Sequence, residues 1–305
     1  LAAPNDKYLK KIEKNFKFHK LEFNSKNINP LFELLLLIKI YNLIKKIKPD
    51  LILTYTIKPN IYTSLIAKRL KIPIINNISG LGTTFINKNI ITRISKLLYK
   101  LSFSSYNYIF FQNSYYYNEF KDNQIIGDSK FEIIPGSGIN TSLWNNHKRS
   151  NKCKNILFCA RLIKDKGIIE FLNAAKILKK KYQKIQFNVV GQLGVDNRTL
   201  IKKEFLYRYV NSNIINYLGE FDNIKNILEK QDVVVLPSYR EGMSRILLES
   251  ASMKIPIVAS NVPGCKEIVV DSVNGFLCEP KNTQDLVNKM EKMINLSEDK
   301  RIKFG

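Results

Sequence analysis

At 305 residues, with 45% hydrophobic and 11% aromatic side chains, the chain has material for two cores and is not a disordered polypeptide. No apolar run reaches bilayer-spanning length, the longest (34–38) being closed by Lys39, and no signal-peptide pattern is read at the start. The net charge of +23 fits nucleic acid, an anionic membrane surface or anionic substrates, and equally a compositional drift toward Lys, Ile and Asn.

The excess is heavier early: residues 1–150 carry 23 Lys and Arg against 9 Asp and Glu, and residues 151–305 carry 26 against 17. Four cysteines, Cys153, Cys159, Cys265 and Cys278, form no C-x-x-C pair, and His19 and His147 are the only histidines. A metal site is therefore not expected, and reduced, buried thiols in a cytoplasmic protein are.

Taken in chain order, Leu1-Ala2-Ala3-Pro4 reads as the end of a strand, so an N-terminal strand and helix are expected to be missing. An amphipathic helix follows over 30–47 and stops before Lys48-Pro49. Short buried strands are expected at 51–55, 72–77, 108–112 and 131–134, with helices at 60–70, 90–103 and 114–121. A break at 136–155, rich in Gly, Ser and Asn and ending in the polar cluster from His147 to Lys152, precedes new strands at 156–160, 185–191, 214–218, 233–236 and 257–259, again alternating with helices. This alternation predicts βαβ units with parallel sheets. The fold class is therefore α/β, with two Rossmann-like domains facing across a cleft, divided as 1–150 and 151–305.

The segment from Leu236 to Glu249 is the most informative. A buried strand ends at Pro237, Glu241-Gly242 falls in the next loop, and Ser244 can cap a helix carrying Glu249 in its second turn. In an open α/β sheet, ligands bind at the carboxyl ends of strands. One carboxylate is thus offered from a loop and one from the helix beside it, whose free N–H groups suit a phosphate. Carboxylates for hydroxyls and amides for phosphate suggest a sugar nucleotide.

Arg161 stands at the end of the second half's first strand, and Lys166 enters a helix with Gly167 in its first turn. Together they form a candidate diphosphate clamp, although singly each is more often a surface charge. Gly191, after another strand, either admits a ligand to the backbone or simply turns the chain. Pro263-Gly264-Cys265-Lys266-Glu267 reads as the opening of a short helix and Asn274-Gly275-Phe276 as a turn into the last strand, with structural and ligand-binding readings both open.

These motifs, Arg161 with Lys166-Gly167, Glu241-x7-Glu249 within Pro237-Ser238-x-x-Glu241-Gly242, and Val262-Pro263-Gly264-Cys265-x-Glu267 with Asn274-Gly275-Phe276, resemble those of the retaining GT-B glycosyltransferases of family four. Thr54-Tyr55-Thr56-Ile57-Lys58-Pro59-Asn60 and the stretch from Asn76 to Thr83 resemble the capsular-polysaccharide and lipid-linked-oligosaccharide group within it. The match runs through the whole chain in order.

The resemblance implies that domain 151–305 holds a nucleotide-sugar donor, a UDP-sugar used as substrate, with no cofactor and no metal. Arg161 and Lys166 would bind its diphosphate and Glu249 its ribose. Glu241 would touch the sugar, and backbone amides of Gly242, Met243 and Ser244 would assist. Domain 1–150 would face the acceptor, a polyprenyl-diphosphate-linked glycan. There Ser79, beside Gly80, stands where many members carry histidine, which removes an obvious general base. A front-face retaining transfer needs none.

The resemblance further implies an enzyme on the inner face of the cell membrane, α-1,3-N-acetylgalactosaminyl transfer as the specific expectation, and a C-terminal helix beyond Gly305.

Segment 90–103 bears on the membrane. Ile90, Ile94, Leu97, Leu98 and Leu101 share one face, Arg93, Lys96 and Lys100 another, and Phe85-Ile86 precede them. Such a stripe commonly packs on a sheet. The alternative is a helix against an anionic leaflet.

Three rival functions compete with this reading. Two carboxylates alone suit a glycosidase, but the basic clamp favours nucleotide-sugar transfer. A GT-B-fold nucleotide-sugar 2-epimerase shares the fold but needs more acid/base groups than this histidine-poor chain offers. A basic nucleic-acid-binding protein lacks a recognition helix or stacking strand here, and Tyr115-Tyr116-Tyr117 reads as helix packing, so no nucleic-acid partner is expected.

Overall fold

The computed structural model of the chain describes residues 2–3, 9–22, 29–80, 90–144, 153–194, 197 and 199–305. Leu1, Pro4, Gly82-Thr83, Phe85-Ile86 and the cluster from His147 to Lys152 lie outside the described residues. The chain forms two compact units, Leu1–Ile134 and Pro135–Gly305, each with its own hydrophobic core. Residues 135–144 thus group with the second unit.

In the first unit, β1 (Ala2–Ala3) and β2 (His19–Lys20) pair in parallel around α1 (Leu9–Glu13). The helix α2 (Pro30–Ile47) starts where Asn29 accepts a hydrogen bond from the Leu31 amide, with Pro30 in its first turn, and ends at left-handed Lys48 ahead of Pro49. Then β3 (Ile52–Tyr55), α3 (Ile57–Leu70), β4 (Ile74–Ile78), α4 (Ile90–Ser102), β5 (Asn107–Phe111), α5 (Ser114–Asp122) and β6 (Lys130–Ile133) build a parallel sheet in chain order.

Alternate residues of β4 and β5 are buried, the period-2 signature of a strand face under helices. The residues shared with the glycosyltransferase pattern partly do structural work here. Asn76 donates to Thr54 Oγ1 at 2.8 Å and to Ser64 Oγ at 2.9 Å, and accepts from Asn107 at 2.7 Å. This fully buried network ties β3, α3, β4 and β5 together. Of the three tyrosines, Tyr116 is buried and Tyr117 stacks on Phe131, while Tyr115 is exposed.

The expected helix over 90–103 forms as α4, but it does not pack its apolar stripe. Thr92, Tyr99 and Ser102 are the buried residues, while Ile90, Ile94, Leu97 and Leu101 are 66, 51, 56 and 54% exposed. Of the expected stripe, Leu98 packs against the core. The inner position is filled by the Tyr99 ring, edge-on to Phe103 and Phe120, and this places the aliphatic stripe on the opposite side of the helix.

In the second unit the elements run β7 (Asn155–Cys159), α6 (Ile168–Lys181), β8 (Gln186–Val190), α7 (Lys203–Asn211), β9 (Asn216–Gly219), α8 (Lys225–Leu228), β10 (Val233–Leu236), α9 (Arg245–Ser252), β11 (Ile257–Ser260), β12 (Gly275–Cys278), α10 (Thr283–Ile294) and α11 (Glu298–Phe304). All six strands are parallel, in the order β12-β11-β10-β7-β8-β9. Every residue of β10 and β11 is buried, as expected for strands covered on both faces.

The chain runs outward from β7 through β8 to β9, then crosses back to lay β10 on β7's other side. The β7/β10 boundary is thus a topological switch point. Two local expectations change. Residues 263–267 form turns, not a helix. Gly167 lies outside the first turn of α6, as the left-handed junction (φ 74°) between a 3-10 turn at Lys164–Lys166 and that helix. Among the described residues, no helix is long and apolar enough to cross a membrane.

Candidate active site

The switch point explains why residues distant in sequence share one end of the second sheet. Val233, Val234 and Val235 lie in register with Ile156, Leu157 and Phe158. The loops leaving β7 and β10, which carry Arg161 to Lys166 and Pro237 to Ser244, therefore emerge side by side. Gly167 makes their contact possible: a Cβ there would run into the Pro237 carbonyl, and its positive φ disfavours any other residue. The Tyr239 amide also donates to the Asp165 carbonyl at 2.9 Å.

Lys166 Nζ donates to both carboxylate oxygens of Glu241 at 2.6 Å. Ser238 Oγ, fully buried, donates to Glu241 Oε1 at 2.7 Å. The Glu241 backbone amide donates to Pro263 O at 3.2 Å and the Ser244 amide to Gly264 O at 3.1 Å, so the turn at 263–264 props the loop from behind. Ser244 holds the N-cap position of α9 but makes no side-chain cap bond. Met243 packs against Gly136. Gly242 lies in the same loop, half-buried.

A cavity of about 680 Å³ opens next to these loops, lined among others by Arg161, Gly191, Glu249, Arg245, Phe221 and Trp144. Glu249 is buried on α9 and accepts from Arg245 Nε at 3.2 Å. Burial raises its carboxyl above the ordinary range, and the Arg245 charge partly offsets this. The same carboxylate, behind the effect of burial, helps push the Cys159 thiol up to about 12. Gly191 lines the cavity because its backbone crosses hard against Ala160, whose carbonyl a Cβ would strike.

Comparison with known proteins gives this arrangement a family. Residues 142–305 match the model described as glycosyl transferases group 1, and residues 1–113 match glycosyl transferase 4-like.

The chain is a group 1 glycosyltransferase.

Among its relatives is the N,N'-diacetylbacillosaminyl-diphospho-undecaprenol alpha-1,3-N-acetylgalactosaminyltransferase of Campylobacter jejuni, 30% identical over 100% of this chain and 83% of the relative. The capsular polysaccharide biosynthesis glycosyltransferase CapM of Staphylococcus aureus is 30% identical over 49% of this chain and 39% of its own. The crystal structure of Anabaena HepE in complex with UDP and glucose superposes with a TM-score of 0.74 at 18% identity, covering 94% of this chain and 78% of HepE. The glycosyltransferase has the GT-B fold, two α/β units with parallel sheets, and its relatives include members of the capsule and lipid-linked group. Named as transferases, they disfavour the epimerase reading.

Of the residues singled out by sequence in this glycosyltransferase, Arg161, Gly191 and Glu249 share the cavity. Lys166 and Glu241 pair with each other on the flanking loops and do not line it. Ser79 and Gly80 follow β4 at its carboxyl end in the first unit, Gly80 against the Tyr116 hydroxyl. Sequence reasoning missed Trp144, Phe221, Asp222, Asn223 and Arg245. Arg245 was legible as a cation one turn before Glu249. The stretch 220–225 carries no motif and reaches the cavity only through the position of β9.

Proposed function

We propose that this glycosyltransferase moves a hexose or N-acetylhexosamine from a UDP-sugar to a polyprenyl-diphosphate-linked saccharide, with retention at the anomeric carbon, at the cytoplasmic face of the membrane. The specific reading is α-1,3-N-acetylgalactosaminyl transfer, as the name of the Campylobacter relative states for that protein. The observation that carries the proposal is one cavity of donor size holding Glu249 and Arg161, with the Lys166–Glu241 pair on the loops beside it. Its volume, about 680 Å³, lies within the usual range for small-molecule sites.

Glu249 accepts hydrogen bonds from the ribose hydroxyls in place of Arg245, since an ionised carboxylate is acceptor-only. Arg161 and Lys166 receive the diphosphate, and Lys166 balances the charge that grows on the departing phosphate. Glu241, fixed by Ser238, holds the Lys166 ammonium and meets the sugar hydroxyls. Gly191 and the backbone of Gly242 and Met243 face the donor, whereas the Ser244 amide, already bonded to the Gly264 carbonyl, is not assigned to it. The bond from the anomeric carbon to phosphate oxygen breaks as the acceptor oxygen bonds to the same face. The leaving phosphate takes the acceptor proton, leaving UDP and the extended glycan. Ser79 and Gly80 are assigned to the acceptor side, where this route requires no imidazole.

The test is a panel of UDP-, GDP- and ADP-sugars with undecaprenyl-diphosphate-linked acceptors, read by mass spectrometry of the lipid-linked product. Transfer from a UDP-sugar alone is expected, and a UDP-sugar without acceptor should give no epimer. Consumption of no nucleotide sugar under any pairing would remove the proposal.

A further inference from the structure

The outward apolar stripe of α4 has no role in the fold or in donor binding. Ile90, Ile94, Leu97 and Leu101 are spaced by four, three and four residues, so they form a continuous line along the helix. Each is more than half exposed. A globular protein of this size ordinarily turns such a line inward; a contiguous exposed one marks a contact surface.

Its electrostatic surroundings identify the partner. Arg93 and Lys100 are exposed on the flank of the stripe. The exposed Lys68, in the last turn of α3, reaches the Leu101 carbonyl at 3.5 Å, which brings a further cation to the end of α4. Lys96 is the cation turned away, bonded to Glu119 at 2.6 Å. No acidic residue occurs between Asp50 and Glu119 in the sequence, so α3 and α4 contribute no negative charge to this face. An apolar line bordered by uncompensated cations complements a leaflet that offers acyl chains beneath anionic headgroups. A second protein copy would bring the same cations and repel them.

We propose that α4 is an interfacial anchor, lying in the plane of an anionic bilayer with Ile90, Ile94, Leu97 and Leu101 among the acyl chains and Arg93, Lys100 and the end of α3 on the headgroups. This deepens the membrane-face reading given above and supplies its contact surface. The cations give attraction at a distance that salt screens, and the aliphatic side chains give attachment that salt does not.

The experiment is co-sedimentation of the purified full chain with large unilamellar vesicles of phosphatidylcholine alone or with phosphatidylglycerol. Wild type, Ile94→Ser/Leu97→Ser and Arg93→Gln/Lys100→Gln are compared, with melting temperature as the control for folding. Because the altered residues are exposed, all three should melt alike. Wild type should bind the anionic vesicles, and each double variant should partition at least about tenfold more weakly.

Transfer onto a short-chain, water-soluble prenyl-diphosphate acceptor, measured without vesicles, should be the same for all three. That arm separates the two ideas, since loss of transfer there reports on the proposed reaction and not on the anchor. Equal binding by wild type and both variants, equal binding to neutral and anionic vesicles, or a stripe variant that converts a dimer into monomers would overturn the anchor.

Discussion

Lys166 and Glu241 lie 75 positions apart and share two short hydrogen bonds, so substitutions at either report on a unit. Glu241→Ala strips the ammonium of its partner inside a half-buried loop. It should lower kcat by about 10²-fold, the scale of a lost electrostatic group at a reacting centre, with little change in donor KM. Glu249→Ala removes an acceptor in the binding cavity and should raise donor KM about tenfold, with kcat less affected. Steady-state kinetics with varied donor checks both; equal effects on the two constants would mean that the roles are not divided this way.

Glu249 also sets a pH test. Burial raises its carboxyl above the unfolded value, so the neutral form is the one that folding favours. Its contribution is present below the unfolded pKa and is lost as pH rises through the folded one. Glu249→Gln should therefore raise the melting temperature at pH 7, and the gain should shrink as the pH falls below the carboxyl's folded pKa. Arg245→Ala removes the exposed partner of the buried Glu249 carboxylate and should cost about 1–3 kcal/mol in urea unfolding at neutral pH.

At the scale of elements, the junction at Gly167 joins the donor-side loops. Gly167→Ala places a methyl group on the Pro237 carbonyl at a backbone angle of 74°. It should cost about 2–4 kcal/mol in urea unfolding and lower kcat by moving Lys166. The strands themselves were legible because buried parallel strands read as short Val/Ile/Leu runs: 233–236 was expected and β10 is Val233–Leu236.

The helix over 90–103 was equally legible as an amphipathic segment, yet its period says only that an apolar line exists. Which side meets the sheet was decided by the aromatic ring of Tyr99 fitting among Phe103 and Phe120. The turn at 263–267 was read as a helix because Gly264 and Pro263 can open one. Glu267 does accept from the Gly264 amide at 2.6 Å as at a helix start, but the bonds that follow, Lys266 N–H to Val262 O and Val269 N–H to Cys265 O, close separate turns and are not continued into a helix.

For the whole molecule, the two units carry separate cores, and the residues proposed to hold the donor fall in the second. UDP should therefore slow amide exchange chiefly in residues 159–167, 190–193 and 220–249. A ligand at about 100 times its Kd adds about 2.7 kcal/mol to the state that binds it. Protection concentrated in the first unit, measured by hydrogen–deuterium exchange with mass spectrometry, would misplace the donor.

The alternation of strands and helices, the positions of Arg161, Lys166, Glu241 and Glu249, and the family they resemble were determined by the sequence alone, because burial period, turn residues and motif spacing are local properties. Strand order, the Lys166–Glu241 bond, the arrival of residues 220–225 at the cavity and the outward face of α4 were decided only by the tertiary structure. Each depends on which strands become neighbours and which side of a helix finds a matching core, and no local pattern encodes that choice.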